Sequence, residues 1–217
     1  MKLIVITSSE RVENEAEKIN ALFDAGLEIL HLRKPNFSKK EYIDLLEGIK
    51  AEYHHKIKIH EFFELIENYN LLGVHLNKRN PNYNIPRHAE LDSASPAKKE
   101  IAGQTRNNEC EKSTINTSKS CHCIEELEDI DKYDYVFLSP IFDSISKKNY
   151  CSNFSDETLL KASSNGKINK KIIALGGINQ ETLPLLKKYA FGGVAVLGSI
   201  WETENIVANF LNLKLLL

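Results

Sequence analysis

The chain has little of what marks export, membranes or nucleic-acid binding. Only four of its 217 residues are cysteine, at 110, 121, 123 and 151, and their spacing matches no disulfide framework, so reduced thiols are expected. Cys121-His122-Cys123 groups two thiols with an imidazole, but a closed zinc site needs a full tetrahedral ligand set and a wider gap between its cysteines. No apolar run is long enough to span a bilayer. The run Leu3-Ile4-Val5-Ile6 is also too short for a signal h-region, and because it leads straight into Ser8-Ser9-Glu10 it reads as a first strand. Neither sign of charge dominates: 28 Lys and Arg face 30 Asp and Glu, for a formal charge of −2. These charges are interspersed, which leaves no broad field for nucleic acid or an anionic membrane. The remaining expectation is a cytoplasmic protein acting on small molecules.

What the chain does have is alternation. With 42% hydrophobic and 27% charged residues, it can bury one substantial core and fits a single domain, residues 1–217, at the small end for a closed α/β barrel. β-branched apolar runs occur at 3–7, 28–33, 56–59, 72–76, 118–122, 135–139, 171–175 and 193–197. Amphipathic stretches at 11–25, 38–53, 62–70, 124–131, 155–163, 180–189 and 202–213 separate most of them, the pattern of parallel βα units. The fold expected is α/β, a (β/α)8 TIM barrel. One segment, about 81–118, breaks the rhythm: it is rich in Asn, Ser, Thr, Lys, Glu and Pro and poor in large aliphatics. It reads as a polar insertion replacing or following helix four, expected to be mobile and non-catalytic, with a partner-binding loop or a lid as the alternative.

Several strand ends carry chemistry. The run 171–178 ends in Gly176-Gly177, and the run 192–199 ends in Leu197-Gly198-Ser199. Glycine lets backbone N–H groups close on an anion, and a following helix start adds partial positive charge; in this architecture a phosphate site commonly follows strands seven and eight. His31 and Arg33 share one face of the second strand by the two-residue period. Arg33 near a strand end suits phosphate or pyrophosphate through its planar fork, or else a neighbouring carboxylate neutralises it within the lumen. Glu61, after Ile59-His60, and Asn80 offer oxygens to Mg²⁺, a weak site. His75 reads as a hydrogen-bonded lumen histidine more than as a catalyst. Ser120 and His122 share the end of strand five, where His122 is either a general acid–base or a loop-holding group. After strand six, Ser144, Ser146, Lys147 and Lys148 form a loop able to fold over an anionic substrate, or a solvated lysine pair.

Taken in order, these segments resemble the thiamine phosphate synthase / thiazole tautomerase family of small TIM barrels. The resemblance rests on Leu30-His31-Leu32-Arg33, Gly73-Val74-His75-Leu76, Ser120-Cys121-His122, Leu138-Ser139-Pro140-Ile141-Phe142 with Ser144, Ser146 and Lys147, and the two glycine-ended strands. It implies a synthase that joins hydroxymethylpyrimidine diphosphate to thiazole phosphate and releases pyrophosphate with Mg²⁺. As alternatives it admits a metal-independent tautomerase that uses His122, or a non-catalytic binder of thiazole phosphate or thiamine phosphate. On the synthase pattern Ser120, His122 and Lys147 are the catalytic candidates. Arg33 and Lys147 would hold diphosphate with His31, His60, Ser144 and Ser146 nearby, and Gly176, Gly177, Leu197, Gly198 and Ser199 would hold thiazole phosphate. The family's Asn-Asp-Asp on strand three reads His60-Glu61-Phe62 here, its second metal-binding Asp matches Asn80, and its lysine two residues after the strand-two arginine is Pro35. The partners implied are the phosphorylated thiazole and pyrimidine, with no nucleic acid or membrane and with monomer or homodimer left open.

Overall fold

A computed structural model describes residues 1–78, 80–81, 115–143, 152 and 154–217. Its strands are β1 (Lys2–Ile6), β2 (Ile29–Leu32), β3 (Ile57–Ile59), β4 (Gly73–Leu76), β5 (Asn116–Cys121), β6 (Tyr135–Leu138), β7 (Ile172–Leu175) and β8 (Gly193–Val196). All pair in parallel in chain order, and β1 closes on β8 with Val5 opposite Val196, which completes the expected closed eight-stranded barrel. Around it lie α1 (Glu15–Asp24), α2 (Lys39–Gly48), α3 (Ile66–Tyr69), α4 (Asp156–Ser164), α5 (Gly198–Trp201) and α6 (Ile206–Leu215). Among the described residues no helix is long and apolar enough to cross a membrane.

Helices cover the outside of the barrel, and side chains must fill the lumen. The outer layer packs Leu30, Leu32, Ile57, Ile59, Val136 and Val194 against helix residues such as Ile19, Leu46, Leu159 and Phe210. Local chemistry sets the helix ends. The Ser38 hydroxyl accepts from the Glu41 N–H while the Glu41 carboxylate accepts from the Ser38 N–H at 2.7 Å, a capping box that starts α2. The Ser155 hydroxyl and the Asn205 side-chain oxygen cap α4 and α6 by accepting from the Thr158 and Ala208 N–H groups.

Two expected helices are much shorter than the sequence pattern suggests. Residues 124–131 form a single 3-10 turn at Glu125–Leu127, and 180–189 form one at Leu183–Lys188, where Pro184 removes a backbone donor. The stretch 202–213 holds one helix, α6, which starts at Ile206 after its cap Asn205, and the short α5 precedes the stretch at Gly198–Trp201. Residues 116–118, assigned above to the polar insertion, belong instead to β5, because Asn116, Thr117 and Ser118 pair with Gly73, Val74 and His75. Most of that segment lies outside the described residues.

The lumen divides in two. On one side Ile4, Ile6, Ile173 and Ala195 pack with Tyr135 and Phe137 into a dry inner cluster. On the other, His31, Lys58, His60, His75 and Ser118 are buried. Lys58, on the lumen side of β3, is fully buried, and its Nζ has no hydrogen-bond partner among the described residues; it lies 4.1 Å from the centroid of the Tyr135 ring. Burial pushes its pKa down to about 6. An unfolded lysine keeps its proton up to about pH 10.4, so between those values the unfolded chain binds more protons and the stability of the folded state rises with pH. Below about 6 both states are protonated and the full penalty of burying the ammonium remains. Lys58→Met should therefore raise the unfolding free energy at pH 7, and its advantage should shrink by about 2–3 kcal/mol at pH 9. Urea unfolding of both proteins at the two pH values measures this; an equal gain at both would show that Lys58 does not titrate in this way.

Candidate active site at the carboxyl end of the barrel

The strand ends open into one cavity of about 940 Å³, lined from every side of the barrel mouth. Arg33, His60, Glu61, His75, Ser120, His122, Gly176, Gly177, Leu197, Gly198 and Ser199 all line it. These residues come from β2 through β5, β7 and β8, and closure of the sheet brings them together.

The glycine-ended strands form one wall. Gly176 and Gly177 have φ of 102° and 63°, a region open to glycine but strained for other residues. A methyl group on Gly177 would sit 2.3 Å from the Asp143 carbonyl oxygen, so the loop after β7 closes directly on the loop after β6. Thr182 holds that loop by donating to the Gly177 carbonyl at 2.9 Å. After β8, Gly198 opens α5, whose first N–H groups have no acceptors within the helix. Trp201 Nε1 fixes this turn to the Ile6 carbonyl at 2.7 Å, and Asn209 Nδ2 donates to the Ser199 carbonyl. The Ser199 hydroxyl is buried and has no hydrogen-bond partner among the described residues. A buried hydroxyl in this state costs free energy unless a ligand or water satisfies it.

The opposite rim carries the charge. The backbone of Arg33 is pinned to β1 by the Thr7 hydroxyl, which accepts from the Arg33 N–H at 2.9 Å and donates to the Arg33 carbonyl at 3.0 Å. Glu61 accepts from the Lys34 N–H at 3.1 Å through Oε2. Lys34 itself turns away from the cavity into a buried ion pair, 2.6 Å from Glu15, and donates to the Glu10 carbonyl at 2.7 Å. Burial pushes the Glu15 carboxyl up and the Lys34 ammonium down, each opposed by its partner. Asn80 uses its amide nitrogen to donate to the His60 carbonyl at 2.9 Å and is absent from the cavity lining. Of the two oxygen donors assigned to a metal, only Glu61 thus faces the cavity.

On the floor, Ser120 Oγ lies 2.9 Å from His75 Nε2, and Ser118 Oγ lies 2.9 Å from His75 Nδ1. His122 Nδ1 lies 3.1 Å from the Ser139 carbonyl oxygen and 3.4 Å from the Ser139 hydroxyl. The Glu126 carboxylate accepts from the backbone N–H of His122 at 2.6 Å.

His31 differs from its sequence assignment as a substrate-binding group. It is fully buried below the cavity, with one ring nitrogen 2.9 Å from His60 and the other 2.6 Å from the Tyr135 hydroxyl. A histidine midway along a lumen face lies one layer below the strand end, which is why Arg33 reaches the mouth and His31 does not. Ser144, Ser146 and Lys147 lie outside the described residues. Sequence reasoning missed Lys58 and Tyr135, although the two-residue period puts Lys58 on the same face as His60.

A closed parallel barrel with one cavity at its carboxyl-terminal mouth belongs to the (β/α)8 enzymes. Comparison with known proteins narrows the class. Residues 102–200 match the profile of the family described as thiamine monophosphate synthase. The crystal structure of thiamine phosphate pyrophosphorylase from Bacteroides thetaiotaomicron is 36% identical, with the alignment covering 100% of this chain and 97% of that one at a TM-score of 0.77. The thiamine-phosphate synthase of Clostridium tetani is 26% identical over 184 residues, 83% of this chain and 78% of that protein. Thiamine phosphate pyrophosphorylase from Pyrococcus furiosus shares the fold at a TM-score of 0.70 and 17% identity, covering 99% of this chain and 94% of that one. The chain belongs to the thiamine phosphate synthase family, an enzyme family of thiamine biosynthesis.

Gly177→Ala should lower stability by about 1–3 kcal/mol, the usual cost of a side chain in this backbone region. It should also weaken inorganic phosphate binding measured by titration calorimetry. An unchanged phosphate affinity would remove the loop after β7 from the anion site.

Proposed function

We propose that the protein joins hydroxymethylpyrimidine diphosphate to thiazole phosphate and releases pyrophosphate. The observation that carries this reading is a single cavity with an anion-suited wall on each side, Arg33 on one and the Gly177 and Gly198–Ser199 turns on the other. Two phosphorylated substrates need two such walls. On this reading Arg33 holds the diphosphate with Lys147, Ser144 and Ser146 of the loop after β6, and the glycine turns with Ser199 hold the thiazole phosphate.

In the reaction the bond between the pyrimidine methylene carbon and the diphosphate oxygen breaks, and the oxygen keeps the electron pair. The thiazole nitrogen lone pair then forms the new carbon–nitrogen bond. No protein nucleophile is required; the demands are alignment of the ring nitrogen with the carbon and neutralisation of charge on the departing pyrophosphate. Arg33 supplies fixed positive charge for the second demand. Ser120 and His60 on the floor and His122 at the rim position the pyrimidine.

A single carboxylate with substrate phosphates suits Mg²⁺, which takes hard oxygen ligands and few from the protein. Glu61 would hold it, with Asn80 contributing at most from outside the cavity wall, and the ion would neutralise the leaving group. The same reading treats residues 1–217 as one cytoplasmic barrel domain with a polar insertion between β4 and β5. The relatives reported above are named as synthases or pyrophosphorylases, which favours this reaction over tautomerisation or binding alone.

Purified protein given both substrates and Mg²⁺ should release pyrophosphate, and chelation should stop it. Arg33→Met should lower kcat/KM by about 10²–10³-fold, the scale of losing one charge-stabilising donor. Ser199→Ala should raise KM for thiazole phosphate more than it lowers kcat. No product at high enzyme concentration would refute the assignment.

A further inference from the structure

Beneath the cavity floor, two buried side chains that never reach the cavity bear on one that does. Tyr135 of β6 and His31 of β2 are buried and absent from the cavity lining, whereas His60, just beyond β3, lines it. The three are joined in series. The Tyr135 hydroxyl lies 2.6 Å from His31 Nε2, and His31 Nδ1 lies 2.9 Å from His60 Nε2. His60 Nδ1 has no protein partner among the described residues and does not belong to their enclosed, unpartnered polar atoms, so it is the ring nitrogen left for a ligand.

Proton counting gives this series a direction. A phenol has one proton to give, and a neutral imidazole has one N–H and one lone pair. Burial holds His31 and His60 well below the ordinary histidine pKa and Tyr135 well above the ordinary tyrosine value, so all three are neutral. Between a phenol and an imidazole, the phenol is the stronger donor and the ring nitrogen the stronger acceptor, so the Tyr135 hydroxyl donates to His31 Nε2. His31 must then carry its proton on Nδ1, which donates to His60 Nε2. His60 in turn carries its proton on Nδ1, the form that a histidine side chain in water disfavours.

We propose that Tyr135 is a positioning residue: acting through His31, it holds His60 in the Nδ1–H tautomer, so that the cavity floor presents a fixed donor and selects a ligand with a hydrogen-bond acceptor at that point. The acceptor is an unprotonated nitrogen of a neutral heteroaromatic ring. Phosphate oxygens are drawn to charge, and the charge lies at the rim on Arg33. The floor beside His60 is instead the neutral His75 ring, stacked on it at 4.3 Å and 24°, with Phe137 also in the lining. An unheld histidine would offer either a donor or an acceptor and would admit rings of either polarity. The held one turns away a ring that carries an N–H at that edge, because two donors would then meet where neither has another partner. The identity of the ring as a hydroxymethylpyrimidine rests on the synthase reading; the hold on His60 does not.

Nitrogen NMR of the histidine rings reads the tautomer directly and needs no turnover. In the wild type the His60 signals, assigned by their loss in His60→Gln, should show a protonated Nδ1 and an unprotonated Nε2. Tyr135→Phe should shift His31 and His60 toward the Nε2–H form, and His31→Leu, which removes the intermediate ring, should release His60 in the same way. Lys58→Met changes the packing against the Tyr135 ring, whose centroid lies 4.1 Å from the amine, but spares the hydroxyl, and should leave His60 as in the wild type. The purified protein should hold no stoichiometric transition metal, because a cation shared by His31, His60 and His75 would take the nitrogens that this series uses. An Nε2–H His60 in the wild type, an unmoved His60 in both Tyr135→Phe and His31→Leu, an equal shift in Lys58→Met, or such a metal would overturn the proposal.

Titration calorimetry tests the selected acceptor. The Kd for hydroxymethylpyrimidine, the alcohol without its diphosphate, should rise about tenfold in Tyr135→Phe, the scale of one hydrogen bond lost, while the Kd for inorganic pyrophosphate stays unchanged. A loss confined to pyrophosphate would overturn the assignment of the donor to the ring. If the wild type binds the pyrimidine neither as the alcohol nor as the diphosphate, the synthase reading fails, and the NMR result alone decides the hold on His60.

Discussion

Closing the sheet removes every edge and turns alternate side chains into a lumen too narrow for bulk water. Whatever occupies the lumen must satisfy itself. The strands β6, β7, β8 and β1 meet that demand largely with Ile4, Ile6, Phe137, Ile173 and Ala195. The strands β2 through β5 meet it with imidazoles, hydroxyls and a neutral amine. A polar half of this kind is tolerable only because its members hydrogen-bond one another, and an incomplete network would cost more than an apolar core. Lys58 Nζ and Asn116 Oδ1 are the exceptions among the described lumen residues, both buried without partners. They occupy positions on either side of Gly73 in the strand register. One internal water bridging across that glycine would satisfy a donor and an acceptor together.

The division explains where chemistry can occur. The dry half supports the glycine turns after β7 and β8 from below, so those loops keep a fixed backbone shape suited to an anion. The polar half lies under the opposite rim and offers groups that accept or donate protons without being charged. Arg33 stands at the top of that half, and burial beneath it keeps the histidines uncharged, so positive charge stays at the rim. A charged imidazole there would lose its bulk hydration, and among the described lumen residues no carboxylate would offset it.

Much of this arrangement was legible in the order of residues. Apolar β-branched runs located all eight strands, because a buried parallel strand leaves a dense β-branched signature, and the two-residue period put His31 with Arg33 and Ser120 with His122 on shared faces. Helical stretches after β5 and β7 were less legible. Amphipathic spacing over eight to ten residues does not distinguish a helix from a 3-10 turn, and Pro184 tipped one of them. Periodicity gives the parity of a side chain, inward or outward, but not its height. Height depends on the register between strands, which places His31 one layer below Arg33 and brings Tyr135 of β6 against His31 of β2. Such contacts across the barrel leave no trace in local sequence, so the hydrogen bond between His31 and the Tyr135 hydroxyl emerges only from the closed sheet.

The family's lysine two residues beyond the strand-two arginine is Pro35 here, which reads in sequence as a charge lost from the diphosphate rim. The structure relocates that charge: Lys34, one residue earlier, is buried against Glu15 and the Glu10 carbonyl, while its backbone N–H holds Glu61. A lysine so placed cannot reach a substrate, and breaking one half of such a buried pair typically costs about 3–5 kcal/mol. Its work is structural. It fixes the chain after β2, and its backbone N–H holds the Glu61 carboxylate, which lines the same cavity as Arg33. Arg33 and Glu61 both remain at the cavity wall, while the lysine between β2 and α2 is given over to holding the fold.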